Sequence, residues 1–115
     1  MDKICIKIPS DKKYISTLRL SLSSIANVIE MDIENIEDLK VSISETMNLF
    51  IDECENIEIN IEVFEEKLEV EVNPKVVIEK IIEKEDNKFA VLILENLVDK
   101  IEFRKESIFL VKNKG

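Results

Sequence analysis

The chain has 115 residues, with 25 acidic and 16 basic side chains, no histidine, two cysteines and a single glycine, Gly115; its formal net charge is −9. That length suits one domain over residues 1–115, burying roughly two-thirds of its unfolded surface. The longest apolar run, Phe89 to Leu94, is far short of the ~20 residues of a membrane span, and an acidic chain repels nucleic acid and anionic lipid.

In chain order, Ile4, Ile6 and Ile8 alternate with Cys5 and Lys7, which predicts a short strand ended by Pro9. Ser10 or Asp11 can cap a helix over Lys12 to Glu30, whose apolar positions are Ile15, Leu18, Leu22, Ile25 and Ile29. Leu20 and Val28 widen that face and suggest contact on more than one side. Asp32 can cap a second helix running to about Cys54, with Ile36, Leu39, Ile43, Met47, Phe50 and Cys54 as its core stripe.

From Ile57 the period changes to two. Ile57, Ile59, Ile61 and Val63 point one way, and Leu68, Val70 and Val72 repeat the pattern after a short link at Glu65 and Glu66. This predicts an antiparallel hairpin with one wet face. Asn73-Pro74 reads as a helix start, with a short helix to about Glu85. A further helix over Phe89 to Lys100 and two strands, Ile101 to Lys105 and Ser107 to Val111, complete the order β-α-α-β-β-α-α-β-β.

The lack of internal glycine removes the Walker loop and the dinucleotide fingerprint, which need a backbone free to approach an anion and to adopt positive φ. The lack of histidine removes the usual general base and the commonest metal ligand. Cys5 and Cys54 are isolated from each other, so no zinc site is expected, and both read as small buried hydrophobes of a reducing, cytoplasmic compartment. No amino-terminal signal pattern is visible. The charge excess is concentrated: residues 52–86 hold 13 acidic and 4 basic side chains. This segment reads either as a solvated face or as a docking surface for a basic partner.

The run YISTLRLSLSSIANVIEMDIENIEDLKVSISE (Tyr14 to Glu45), the hairpin EVFEEKLEVEV (Glu62 to Val72) and the segment ILENLVDKIEF (Ile93 to Phe103) together resemble bacterial anti-sigma factors of the serine-kinase type. These belong to the Bergerat (GHKL) ATPase superfamily. The resemblance implies an α+β two-layer sandwich, with a mixed, mainly antiparallel sheet of four to five strands carrying helices on one face. It also implies a homodimer formed through the first strand and helix, with which Leu20, Val28 and an open edge at Ile4 to Ile8 are compatible.

The family's nucleotide signature is incomplete in this chain. Its glutamate corresponds to Glu45, but the magnesium-holding asparagine four positions later falls on Leu49. Asn48 is one step away, turned by ~100° on a helix. The adenine-reading aspartate and its glycine fall in Asn73-Pro74-Lys75-Val76, and the phosphate-binding glycines fall on Lys88 and Ala90. The family's long, glycine-bearing lid is replaced by a short helix.

The resemblance therefore implies a member without ATP or metal as cofactor, in which Glu45, Asn48, Asn73 and Lys88 are vestigial. Glu45 also reads as a solvated carboxylate and Asn73 as a simple helix cap. Arg19 stands where the resembled proteins place an arginine that contacts the bound sigma factor; otherwise it would form a local ion pair. The expectation is a non-catalytic, protein-binding regulatory domain whose partner is a sigma factor or an antagonist of an anti-sigma factor. The alternatives are a divergent serine-protein kinase binding Mg-ATP through Glu45, Asn48 and Asn73, and a dimerising half whose nucleotide site lies in a paralogous partner.

Overall fold

Strand β1 (Asp2–Pro9) forms where isoleucine alternates with polar residues, and it pairs antiparallel along its whole length with β2 (Asn56–Val63), from Asp2 opposite Val63 to Pro9 opposite Asn56. In this computed structural model, which describes residues 1–115, β2 turns back into β3 (Lys67–Asn73), and the chain ends in the hairpin β4 (Lys100–Phe103) and β5 (Ile108–Asn113). The sheet order is β1-β2-β3-β5-β4 and every pair is antiparallel. The expected mixed sheet is thus corrected to a purely antiparallel one, because the two segments returning to the sheet enter as hairpins.

Four helices complete an α+β fold: α1 (Ile15–Val28), α2 (Ile33–Phe50), α3 (Ile78–Ile82) and α4 (Lys88–Leu97). Helix α2 is central, packed on α1 and on α4. Its buried residues Leu39, Ile43, Met47 and Phe50 meet Leu18, Leu22 and Ala26 of α1 and the sheet's inward side chains in one core. Those inward residues include Ile57, Ile59, Ile61, Leu68, Val70, Val72, Ile108 and Leu110. The period-two and helical stripes of the sequence are therefore the buried ones.

The ends of elements deviate from the sequence reading for local reasons. Asp11 caps a 3₁₀ turn, Lys12–Tyr14, by accepting from the Lys13 N–H at 3.0 Å, while the Ser10 hydroxyl donates to the Phe50 carbonyl at 2.9 Å. Helix α1 ends in a full Schellman motif. The Glu30 N–H donates to Asn27 and the Met31 N–H to Ala26, with Met31 buried and Glu30 at φ 61°. Helix α2 stops at Phe50, four residues before Cys54, where Asp52 turns the chain at φ 70°.

Asn73 caps no helix. Its side chain accepts from the Lys75 N–H at 3.0 Å, Lys75 adopts φ 61°, and α3 begins only at Ile78, whose N–H donates to Lys105. Residues 74–77 are thus a strap across the end of the sheet, and the expected helix from Pro74 to Glu85 shrinks to five residues. Three residues, Glu30, Asp52 and Lys75, are left-handed although none is glycine. Such side-chain-bearing residues adopt that conformation at ~1–2 kcal/mol each.

Candidate functional site

Glu45, Asn48 and Leu49 all lie on α2, and the helix turns them apart. Leu49 points into the core and is 3% exposed, Asn48 is exposed, and Glu45 is half-exposed without a hydrogen bond or ion pair. Lys88 begins α4 and reaches Glu85 at 3.4 Å. Asn73, with Pro74 and Lys75, lines a cleft of about 350 Å³ at the end of the hairpin, shared with Lys7, Glu53 and Cys54. Neither Glu45, Asn48 nor Lys88 lines that cleft or any of the four other principal clefts. The four residues that the resemblance groups around a nucleotide are not gathered in one pocket.

Helix α1 carries unpaired and exposed side chains on more than one side. Arg19 is half-exposed and enters none of the ion pairs of the structure. The neighbouring Leu20 is 69% exposed, and Val28, two turns further, is 73% exposed. Val28 joins Met1, Ile29, Val63 and Phe64 around a shallow hollow of about 500 Å³. This hollow adjoins β1, whose outer edge carries unpaired backbone groups because β1 is hydrogen-bonded to β2 alone.

The outer face of the sheet, away from the helices, is charged but balanced. Its rows run Lys3–Glu62–Glu69–Val111–Lys100 and Cys5–Asn60–Glu71–Phe109–Glu102, with Lys7 opposite Glu58 beyond them. The hairpin's Glu58, Glu62, Glu69 and Glu71, with Glu102, are matched by Lys3, Lys7, Lys67, Lys100 and Arg104. Most of these bases come from outside residues 52–86, so the acidic excess of that segment lies on its loops and around α3, not on the open face. Arg104 lies 4.3 Å from the Phe109 ring centre and pairs with Glu71 at 2.8 Å and Glu102 at 3.1 Å, while the Ser107 hydroxyl donates to Glu71. The Glu71 carboxylate raises the Arg104 guanidinium further above its ordinary range, and hydrogen bonds from Arg104 and then Lys100 lower Glu102. This network closes the β4–β5 turn onto β3.

Both cysteines are reduced. Cys5 is exposed on the outer face, contrary to the expectation of burial, because its odd position in β1 places it opposite the inward isoleucines. Cys54 is half-buried, its thiol 3.8 Å from the Phe50 carbonyl. No three histidine, cysteine, aspartate or glutamate side chains converge in a metal-holding geometry. Every buried side-chain nitrogen and oxygen has a hydrogen-bond partner.

The sequence reading gave no role to the outer side of α4. Phe89 is 72% and Leu92 54% exposed there, three residues apart and hence on one face. The signal was present in six consecutive apolar residues, Phe89 to Leu94, which exceed what one buried helical stripe can use. In sequence, no protein-family model matches the chain and no curated protein is similar to it.

Proposed function

We propose that the chain is a non-catalytic regulatory domain that binds protein partners, of the Bergerat type resembled by its sequence, and that it uses neither ATP nor a metal. The observation that carries this reading is the outer face of α1. A half-exposed arginine free of any ion pair and a largely exposed leucine lie on the first half of this helix, and the exposed Val28 at its far end lines a mainly apolar hollow beside an open strand edge. Arginine free of ion pairs and solvent-exposed aliphatic side chains are residue types from which interfaces are built. The order of elements, with the helices gathered on one side of the sheet, supports the Bergerat assignment, although the sheet is purely antiparallel.

In this reading the partner is a sigma factor or an antagonist of an anti-sigma factor, and β1 with α1 forms a homodimer. Replacing Arg19 with glutamate abolishes partner capture and leaves helicity and melting temperature unchanged. Capture that survives Arg19→Glu places the binding surface elsewhere.

One observation favours the kinase alternative. Lys75 holds a left-handed backbone at the place of the resembled family's glycine, and Asn73 beside it lines a cleft. Against it, Leu49 is packed into the core, and Glu45 and Lys88 lie outside that cleft. Calorimetric titration with Mg-ATP separates the two: micromolar binding would remove the non-catalytic reading.

A further inference from the structure

We propose that the outer face of α4 is a docking site for a basic amphipathic helix of a partner protein. The inference rests on the reading of the chain as a protein-binding domain, but not on α1 or Arg19. A helix whose first half is almost wholly apolar is ordinarily enclosed. Helix α4 buries only Leu94 completely, while Ala90, Val91, Ile93 and Leu97 are half-covered and Phe89 and Leu92 stand in solvent.

The packing of α4 on α2 fixes what surrounds this face. The two helices run antiparallel: Lys112 touches both Asp38, early in α2, and the carbonyl of Leu97, late in α4. Lys84, just before α4, pairs with Glu53, just after α2. The solvent side of α2 carries Val41, 40% exposed, and Glu45. On α4 itself Phe89 and Leu92 form an exposed apolar strip, with Asp86 three residues before Phe89 and Glu95 three residues beyond Leu92, and Glu45 stands on the solvent side of the neighbouring α2.

The chemistry of the rim selects the occupant. Glu45, Asp86 and Glu95 have no basic partner, whereas the bases on these two helices are already engaged, Lys40 by Glu37 at 3.1 Å and Lys88 by Glu85 at 3.4 Å. An apolar strip with unneutralised carboxylates on its rim is complementary to a helix with aliphatic residues at i, i+3 or i+4 and i+7, flanked by lysine or arginine. The net charge of −9 draws such a segment in from a distance and rejects an acidic one.

The test uses a labelled peptide of about 18 residues, roughly five helical turns, built of leucine and lysine in an amphipathic pattern. A leucine–glutamate peptide of the same pattern is its counterpart. Anisotropy at about 0.15 M salt shows binding of the first and none of the second, and backbone amide shifts of the unmodified protein concentrate on α4 and the outer side of α2. Phe89→Ser with Leu92→Ser weakens binding about tenfold or more, the loss expected when central apolar anchors are removed. Glu45→Lys with Glu95→Lys weakens it and flattens its salt dependence.

Both serine substitutions fall on exposed positions, and the shift map requires no variant at all. Shifts confined to α1 or the open sheet face, equal binding of the acidic peptide, or unchanged affinity in the double serine variant would each overturn the proposal. Arg19→Glu leaves peptide binding intact, so failure on α4 and failure of the α1 reading are separately visible.

Discussion

Helices α2 and α4 are neighbours, and the structure buries the less apolar of the two more deeply. Of the 18 residues of α2, eight are buried; of the ten in α4, one is. The difference is position, not hydrophobicity. Helix α2 has the sheet beneath it and a helix on each side, whereas α4 flanks the layer, with α2 on one side only. An apolar residue stabilises a fold in proportion to the area it removes from water, so the same residue type carries fold in one helix and remains available for binding in the other.

The widest separation of the two helices is expected from phenylalanine to alanine substitutions. Phe50 is fully buried in α2, and Phe50→Ala destabilises by about 3–5 kcal/mol, through lost burial and the cavity left behind. Phe89→Ala, on the exposed face of α4, stays within about 0.5 kcal/mol. Urea denaturation of the two variants at equal slope measures both. A loss of several kcal/mol at Phe89 would show that the face is covered in solution, and a homodimer seated there would make that loss dependent on protein concentration.

A smaller effect is expected where the two helices share a strut. Lys112 is nearly buried on the inward side of β5, and its ammonium donates to the Leu97 carbonyl at 2.7 Å and approaches Asp38 at 3.4 Å and Asp99 at 3.9 Å. Lys112→Met keeps most of the volume and removes the donor, leaving the last turn of α4 with an unpaired carbonyl, at a cost of about 1–3 kcal/mol. Helix α2 is held by eight buried residues and α4 by Leu94 alone, so amide exchange quickens in α4 and stays slow through the middle of α2. Equal acceleration in both would mean that the two helices open as one unit.

The same contrast explains what the sequence disclosed. Stripes that end up buried have a period, so α2 and the β2–β3 hairpin could be read from Ile36 to Phe50 and from Ile57 to Val72 almost without error. Cys5 was misread as buried from its residue type, although the alternation that directs Ile4 and Ile6 inward directs it outward. The start of helix α3 was not legible, because Val77, Ile78, Ile81 and Ile82 have helical spacing while the Asn73 turn and the Ile78–Lys105 hydrogen bond hold residues 74–77 as a strap. Those are long-range and side-chain-to-backbone bonds that no local period encodes. For the site, Arg19 was singled out by the resemblance, and the structure leaves it half-exposed and outside every ion pair. The opposed orientations of Leu49 and Asn48 followed from helical rotation, but the unpartnered strip on α4 required knowing which elements flank it.

A third test concerns how α1 ends. Glu30 occupies the left-handed position of its Schellman motif, where glycine is the unstrained residue. Glu30→Gly is expected to stabilise by about 0.5–1 kcal/mol, the relief of the side-chain clash less the added freedom of the unfolded chain. Glu30→Ala gives no such gain. A higher urea midpoint for glycine alone would assign the effect to backbone conformation and not to loss of the carboxylate.

The smallest effect is electrostatic and lies on the sheet's outer face. Hydrogen bonds from Arg104 and then Lys100 hold Glu102 below the ordinary carboxylate value of about 4.3. A depressed folded-state value means that the unfolded chain binds the proton first. The contribution of Glu102 is therefore complete above about pH 4.3 and disappears as the pH falls through the lower folded value. Because these groups are exposed, salt screens the effect. In Glu102→Gln the stability profile is expected to coincide with the parent at acid pH and fall slightly below it near neutrality, with the gap narrowing in salt. A gap that persists at acid pH would show that Glu102 acts through packing against its neighbours in the β4–β5 turn, and the balance of charge on this face would then be incidental to its stability.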